Sequence, residues 1–193
     1  MQPQTLICRA RMLLAEGVVD DAVVDAKRAV ELVQGSPVFQ SLCGPLAFRA
    51  RLHAELAQTE DAAALLDELL KTWGETRAGY VEQWVLDAWF AAWASGQEPR
   101  LQSEIEKSSV SVPWLEVATL LIQRDFDAAI EKLDLMGALS VAAEARLWGG
   151  QLLVQQGRQA EANVQLESAL GFWRSVGARR YLRESESLLA AAS

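Results

Sequence analysis

The sequence predicts an all-α chain, a stack of antiparallel helix pairs, and three observations predict it. Strand signals are almost absent, because alanine, leucine, glutamate and glutamine dominate and these favour helix. The five prolines fall at 3, 37, 45, 99 and 113, most of them where a helix can start without the missing N–H. The third observation is self-similarity. RARMLLAEGVVDDAVVDAKRAVEL (9–32), FRARLHAELAQTEDAAALLDELLKTW (48–73) and WGGQLLVQQGRQAEANVQLESALGFW (148–173) share one pattern. A small residue of a first helix precedes a small residue of a second by twelve: Ala10 and Ala22, Ala50 and Ala62, Gly150 and Ala162. Seven residues on, Ala29, Leu69 and Ala169 continue the same face. Small side chains there let two helices approach closely, and the turns between fall at Gly17, near Ala57 and at Gly157.

Taken in order, the first repeat (4–34) has helices over 4–16 and 20–34, with Asp20 and Asp21 placed to cap the second. The second (41–73) has helices over 41–57 and 61–73, and Glu60 and Asp61 take the same role. WVLDAWFAAWASGQEPRLQSEIEK (84–107) is a degenerate third copy within 79–107, with helices over 79–95 and 99–107 and with Trp89 and Leu101 at the small positions. RDFDAAIEKLDLM (124–136) closes the fourth (113–135), whose helices run over 113–122 and 126–135 with Ala129 at the small position. The fifth (139–175) has helices over 139–156 and 159–175. GFWRSVGARRYLRE (171–184) ends that repeat at Gly177 and starts a last helix, 179–191, whose Tyr181, Leu182, Leu188 and Leu189 cover the end of the stack. No linker divides the chain, so 1–193 reads as one domain.

The pattern resembles the tetratricopeptide repeat, a helix–turn–helix unit of about 34 residues. The resemblance implies an α-α superhelix of about five helix pairs plus the capping helix. From Glu144 to the end, the segments GRQAEANVQLESALGF and GARRYLRE are similar to the carboxy-terminal repeats of bacterial adenylate/guanylate cyclase–ATPase fusions and LuxR-like ATP-dependent regulators. That similarity implies a regulatory or interaction segment of a larger signalling protein or transcriptional regulator.

The 193 residues carry a net charge of −8, which argues against direct binding of nucleic acid or an anionic membrane. Apolar runs are broken by charge, as Asp87 breaks VLDAWFAAWA, and none reaches the ~18 residues of a membrane span. Cys8 and Cys43 read as free thiols of a cytoplasmic protein, with no metal site and no cofactor implied. No phosphate loop, GxGxxG, HExxH or GxSxG occurs, so the chain reads as a non-enzyme, and His53 reads as a packing histidine.

What remains is partner binding by a protein or peptide, including other domains of the same polypeptide. In tetratricopeptide repeats the first helices line the concave groove. Carried across by the alignment, that groove takes Arg11 and Leu14, Arg51 and Glu55, Phe90 and Trp93, Trp114 and Leu121, and Leu147 and Gln151. Arginine with aromatics is a hot-spot composition suited to an acidic peptide. Core packing is the competing assignment for Trp84, Trp89 and Trp93, and solvation for Arg11 and Arg51. Two further readings are a small-molecule pocket among Phe90, Trp93 and Trp114, and a homodimer through an uncovered amino-terminal repeat.

Overall fold

The computed structural model describes residues 2–36, 38–76 and 79–191; Pro37 lies outside them. Among the described residues there are eleven α-helices and no strand. They are α1 (Pro3–Glu16), α2 (Val19–Val33), α3 (Phe39–Glu55), α4 (Thr59–Thr76), α5 (Trp84–Ser95), α6 (Glu98–Lys107), α7 (Pro113–Ile122), α8 (Phe126–Leu135), α9 (Leu139–Gln155), α10 (Gln159–Val176) and α11 (Arg179–Ala191). Each matches an expected helix to within a few residues, with one exception. The helix expected from 79 starts at Trp84, because Val81 is buried in non-helical chain ahead of it. No described helix is long and apolar enough to cross a membrane.

The chain divides into two compact units, residues 1–11 with 19–123, and residues 12–18 with 124–193. The division falls between α7 and α8, inside the stretch 113–135 that the sequence pairs as one repeat.

In the first unit α3 packs on α2, α4 and α5, and α5 packs on α4, α6 and α7. The positions singled out by the repeat are its core: Ala10, Ala22, Ala29, Ala50, Ala62, Leu69, Trp89 and Leu101 are all fully buried. An aromatic chain adds to it, with Trp84 edge-on to both Trp73 (5.2 Å) and Phe39 (5.7 Å). The turn after α3 takes the left-handed conformation expected of glycine, although Ala57 occupies it at φ +57°. Its bonds are main-chain ones: Gln58 N–H donates to the His53 carbonyl at 2.9 Å, and Ala57 N–H to that of Ala54 at 3.0 Å. The His53 ring is largely buried and its Nδ1 lies 2.6 Å from Gln58 Oε1, so it braces that turn.

Asp25, buried on α2, accepts two hydrogen bonds of 2.5 Å from Arg9 on α1. The bond from Arg9 holds its carboxyl below the usual carboxylate range, against the opposing effect of burial. A lowered folded pKa adds stability above the unfolded value of about 3.9, and that stability is lost as pH falls through the folded value. Arg9 is half exposed, so solvent screens the pair and keeps its contribution small. Urea midpoints of the wild type and Asp25→Asn are therefore expected to separate at neutral pH and converge in acid.

Cys43 is buried and its thiol is pushed up to about 12 by burial, whereas Cys8 is exposed.

In the second unit α9 packs on α8, α10 and α11, and α10 packs on α11. Gly150 is what allows α9 and α10 to close: a Cβ there would lie 2.7 Å from Leu166 Cγ and Cδ2. Ala143, Leu147, Ala162, Leu166, Ala169 and Trp173 form the cluster at this crossing, and Ala15 of α1 packs against it. Tyr181 of α11 stacks on Trp173 at 4.7 Å. Arg183 of α11 lies against Gly17, at the carbonyl-rich end of α1, where a cation is favoured. The helix that carries the arginine-rich stretch thus packs on α9 and α10, and one of its arginines also covers a helix end.

Candidate functional site

Three first helices each send a charged group to one point in the first unit. Asp87 stands in the first turn of α5, Arg51 and Glu55 one turn apart on α3, and Arg11 near the end of α1. Asp87 Oδ1 accepts from Arg51 Nη1 at 3.2 Å and from Arg11 Nη1 at 3.3 Å. Its Oδ2 accepts from Arg11 Nη2. Arg51 Nε donates to Glu55 Oε1 at 2.8 Å. Each guanidinium also lies over an aromatic ring, Arg11 over Phe48 at 4.5 Å and Arg51 over Phe90 at 5.7 Å. The side chains of Asp87, Arg51 and Glu55 are 1%, 3% and 6% exposed, whereas Arg11 is 29% exposed. The network is thus dry at one end and open to solvent at Arg11.

Its charges cancel, two guanidiniums against two carboxylates. Desolvating such groups is costly, and only mutual pairing offsets the cost. Arg51 is therefore not the solvated arginine the sequence left open, whereas Arg11 pairs with Asp87 and stays partly in solvent. Neither presents free positive charge to an acidic peptide.

The aromatic part of the expected groove follows on directly. Trp93 stacks on Trp89 at 5.3 Å and meets Phe90 edge-on at 5.9 Å. Trp89 Nε1 donates to Glu98 Oε1 at 3.1 Å. Trp84 and Trp89 are core residues, while Phe90 and Trp93 are half-buried. Trp114 is half-buried on α7, which packs on α5.

Of the ten expected groove residues, Arg11, Arg51, Glu55, Phe90 and Trp93 are thus brought together. No family model matches the chain. No curated protein or solved structure matches it either. The reading of the site accordingly rests on its own geometry.

Three assignments need correction. Leu14, Leu121 and Leu147 are at most 1% exposed and are core residues, so they offer no partner a surface. The reason is the packing of the first helices: on α9 every residue from Val141 to Ala145 and from Leu147 to Gly150 is buried, so the solvent-facing stripe is narrower than the alignment assumes. Gln151 remains half-buried in the second unit.

Asp87, the centre of the network, was visible in the sequence only as the lone acid in VLDAWFAAWA. A single carboxylate amid apolar residues signals a buried partner, but it does not say which cation supplies it.

The second unit has a separate open cleft of about 300 Å³, floored by Phe126, Leu152 and Leu153 and rimmed by Arg124, Asp127 and Glu161. Its rim charges are engaged locally, for Asp127 accepts from Gln165 at 3.1 Å and Glu161 pairs with Arg158 at 2.6 Å. Among the described residues no group of three or more His, Cys, Asp or Glu side chains is placed to hold a metal ion.

Proposed function

We propose that the chain is a protein- or peptide-binding scaffold of tetratricopeptide-like helix pairs, acting as a regulatory segment. The observation that carries the reading is the set of half-buried rings Phe90 and Trp93 on α5 and Trp114 on α7, a helix that packs on α5, with the Arg51 guanidinium of the Asp87 network lying over Phe90. Partly exposed aromatics on a rigid support bind with little entropic cost, because their rings are already held in place. Small residues at the α3–α4 and α9–α10 crossings, together with the packing of α3 on α5 and α5 on α7, support the solenoid part of the reading. The resemblance of residues 144–193 to the tails of bacterial signalling ATPases and LuxR-like regulators supports a place in a larger signalling or transcriptional system, with other domains of that polypeptide among the partners.

With both guanidiniums neutralised, recognition passes from charge to the rings, and the fitting ligand is a peptide with apolar or aromatic anchors. A small-molecule pocket among the same rings is the weaker reading, because Phe90, Trp89 and Trp93 pack on one another. The homodimer reading rested on a bare amino-terminal helix, yet Leu6, Ile7, Ala10 and Leu14 of α1 are buried within the chain.

The test is partner capture from the native cell extract by the wild type and by a Trp93→Ala, Trp114→Ala variant whose fold is checked by circular dichroism. A partner held by the wild type and lost by the folded variant is the expected result. Equal capture by both would refute the aromatic surface as the binding site.

A further inference from the structure

We propose that the outer face of α2 pairs with the same face of a second copy of the chain, antiparallel about a two-fold axis at Val24. On a helix, the positions three and four residues to either side of a given residue share its face. Around Val24 these are Asp20 and Asp21 on one side, Lys27 and Arg28 on the other. All five side chains are exposed, Val24 by 64%. Along the stripe the order is acid, acid, apolar, base, base.

A stripe in that order is its own complement. Turning a second α2 end over end about Val24 sets Asp20 against Arg28 and Asp21 against Lys27. The two-fold axis repeats both pairs, so ion pairs flank the two valines on each side. A parallel pairing in register would set acid on acid and base on base, so the charges also fix the direction.

The order is not one that a lone helix needs. Asp20 and Asp21 lie in the first turn, where the helix dipole favours acids, but the last turn of α2 holds no base. Lys27 and Arg28 stand before that turn, where the dipole acts weakly. Arg28 pairs with Glu31 at 3.1 Å, with both side chains well exposed, so the bond is weak and readily exchanged.

The repeat supplies the comparison. Ala22, Ala62 and Ala162 are equivalent, so the same stripe can be read on α4 and α10. On α4 it is Glu60, Asp61, Ala64, Asp67 and Glu68, with acids on both sides of the centre. On α10 it has Glu161 and Glu167 on opposite sides of Val164 and no base. Either face would repel its own copy. The change of sign thus belongs to α2 and not to the repeat pattern. The stripe is small beside the roughly 800 Å² per partner of a stable interface, so the pairing is weak and salt-sensitive. It uses neither the rings of α5 and α7 nor the buried face of α1.

Sedimentation equilibrium of the full chain, at concentrations up to about 1 mM, tests this. The wild type is expected to dimerise, with Kd rising at least about tenfold between about 0.05 and 0.5 M salt. Asp20→Lys with Asp21→Lys makes the flanking charges all basic, and Lys27→Glu with Arg28→Glu makes them all acidic. Each double variant, its helix content checked by circular dichroism, is expected to self-associate at least about tenfold more weakly than the wild type. Mixed together, the two variants are complementary at every flanking position. The mixture is expected to pair at least about tenfold more tightly than either variant alone, a gain that damage to the fold does not produce. Three results would each overturn the proposal: a wild type that stays monomeric throughout, variants that dimerise as the wild type does, or a mixture that pairs no better than its components.

Discussion

Asp87→Ala is expected to destabilise the first unit by about 3–5 kcal/mol, the usual cost of removing one partner from a buried ion pair. The loss comes less from the missing attraction than from what stays behind. Arg51, with a side chain 3% exposed, loses its bond to Asp87, and Arg11 loses both of its bonds there. Chemical denaturation of the wild type and variant measures the effect. A companion variant separates the two terms: Asp87→Ala with Arg11→Met, Arg51→Met and Glu55→Met removes all four charges of the network, and is expected to recover much of the loss. If the single variant cost under about 1 kcal/mol, the network would be behaving as a surface pair.

Gly150→Leu is expected to have the other large effect, beyond the roughly 1–3 kcal/mol of ordinary overpacking. The reason is geometric. Even a methyl group at this position meets Leu166 at 2.7 Å, and Leu166 is itself fully buried in the crossing of α9 and α10. The helices must move apart, and Ala162 and Ala169 then lose their contacts as well. Gly150→Ala is expected to cost less, because a leucine side chain can shift a little. The pair Gly150→Ala, Leu166→Ala restores room, and a partial recovery of the thermal midpoint relative to Leu166→Ala alone would confirm that the two side chains compete for the same space.

Most of the fold was legible because helices announce themselves locally. The positions spaced by twelve and seven residues, such as Ala50, Ala62 and Leu69, are the fully buried ones. Where the pattern weakened, around 79–83, the helix boundary was also misplaced, since Val81 is buried without belonging to a helix. The site was legible only in part. The repeat alignment put Arg11, Arg51 and Phe90 on equivalent faces, and they do meet. It could not pair them with Asp87, because residues 36 and 76 apart in the chain come together through packing, not periodicity. It also misread Leu14, Leu121 and Leu147, since a helix flanked on several sides buries more of its circumference than one face predicts.

The turn at Ala57 has a consequence for which residues the chain tolerates there. Its hydrogen bonds are made by the main chain, so the residue there is constrained by the sign of φ and little else. A non-glycine residue costs about 1–2 kcal/mol in that conformation, a sum a well-packed helix pair can absorb. Arg124, at φ +63°, makes the same substitution between α7 and α8. A residue other than glycine can therefore occupy such a turn and leave the bend intact. The path of the backbone at such a bend is thus less exacting about the residue than the glycine rule suggests.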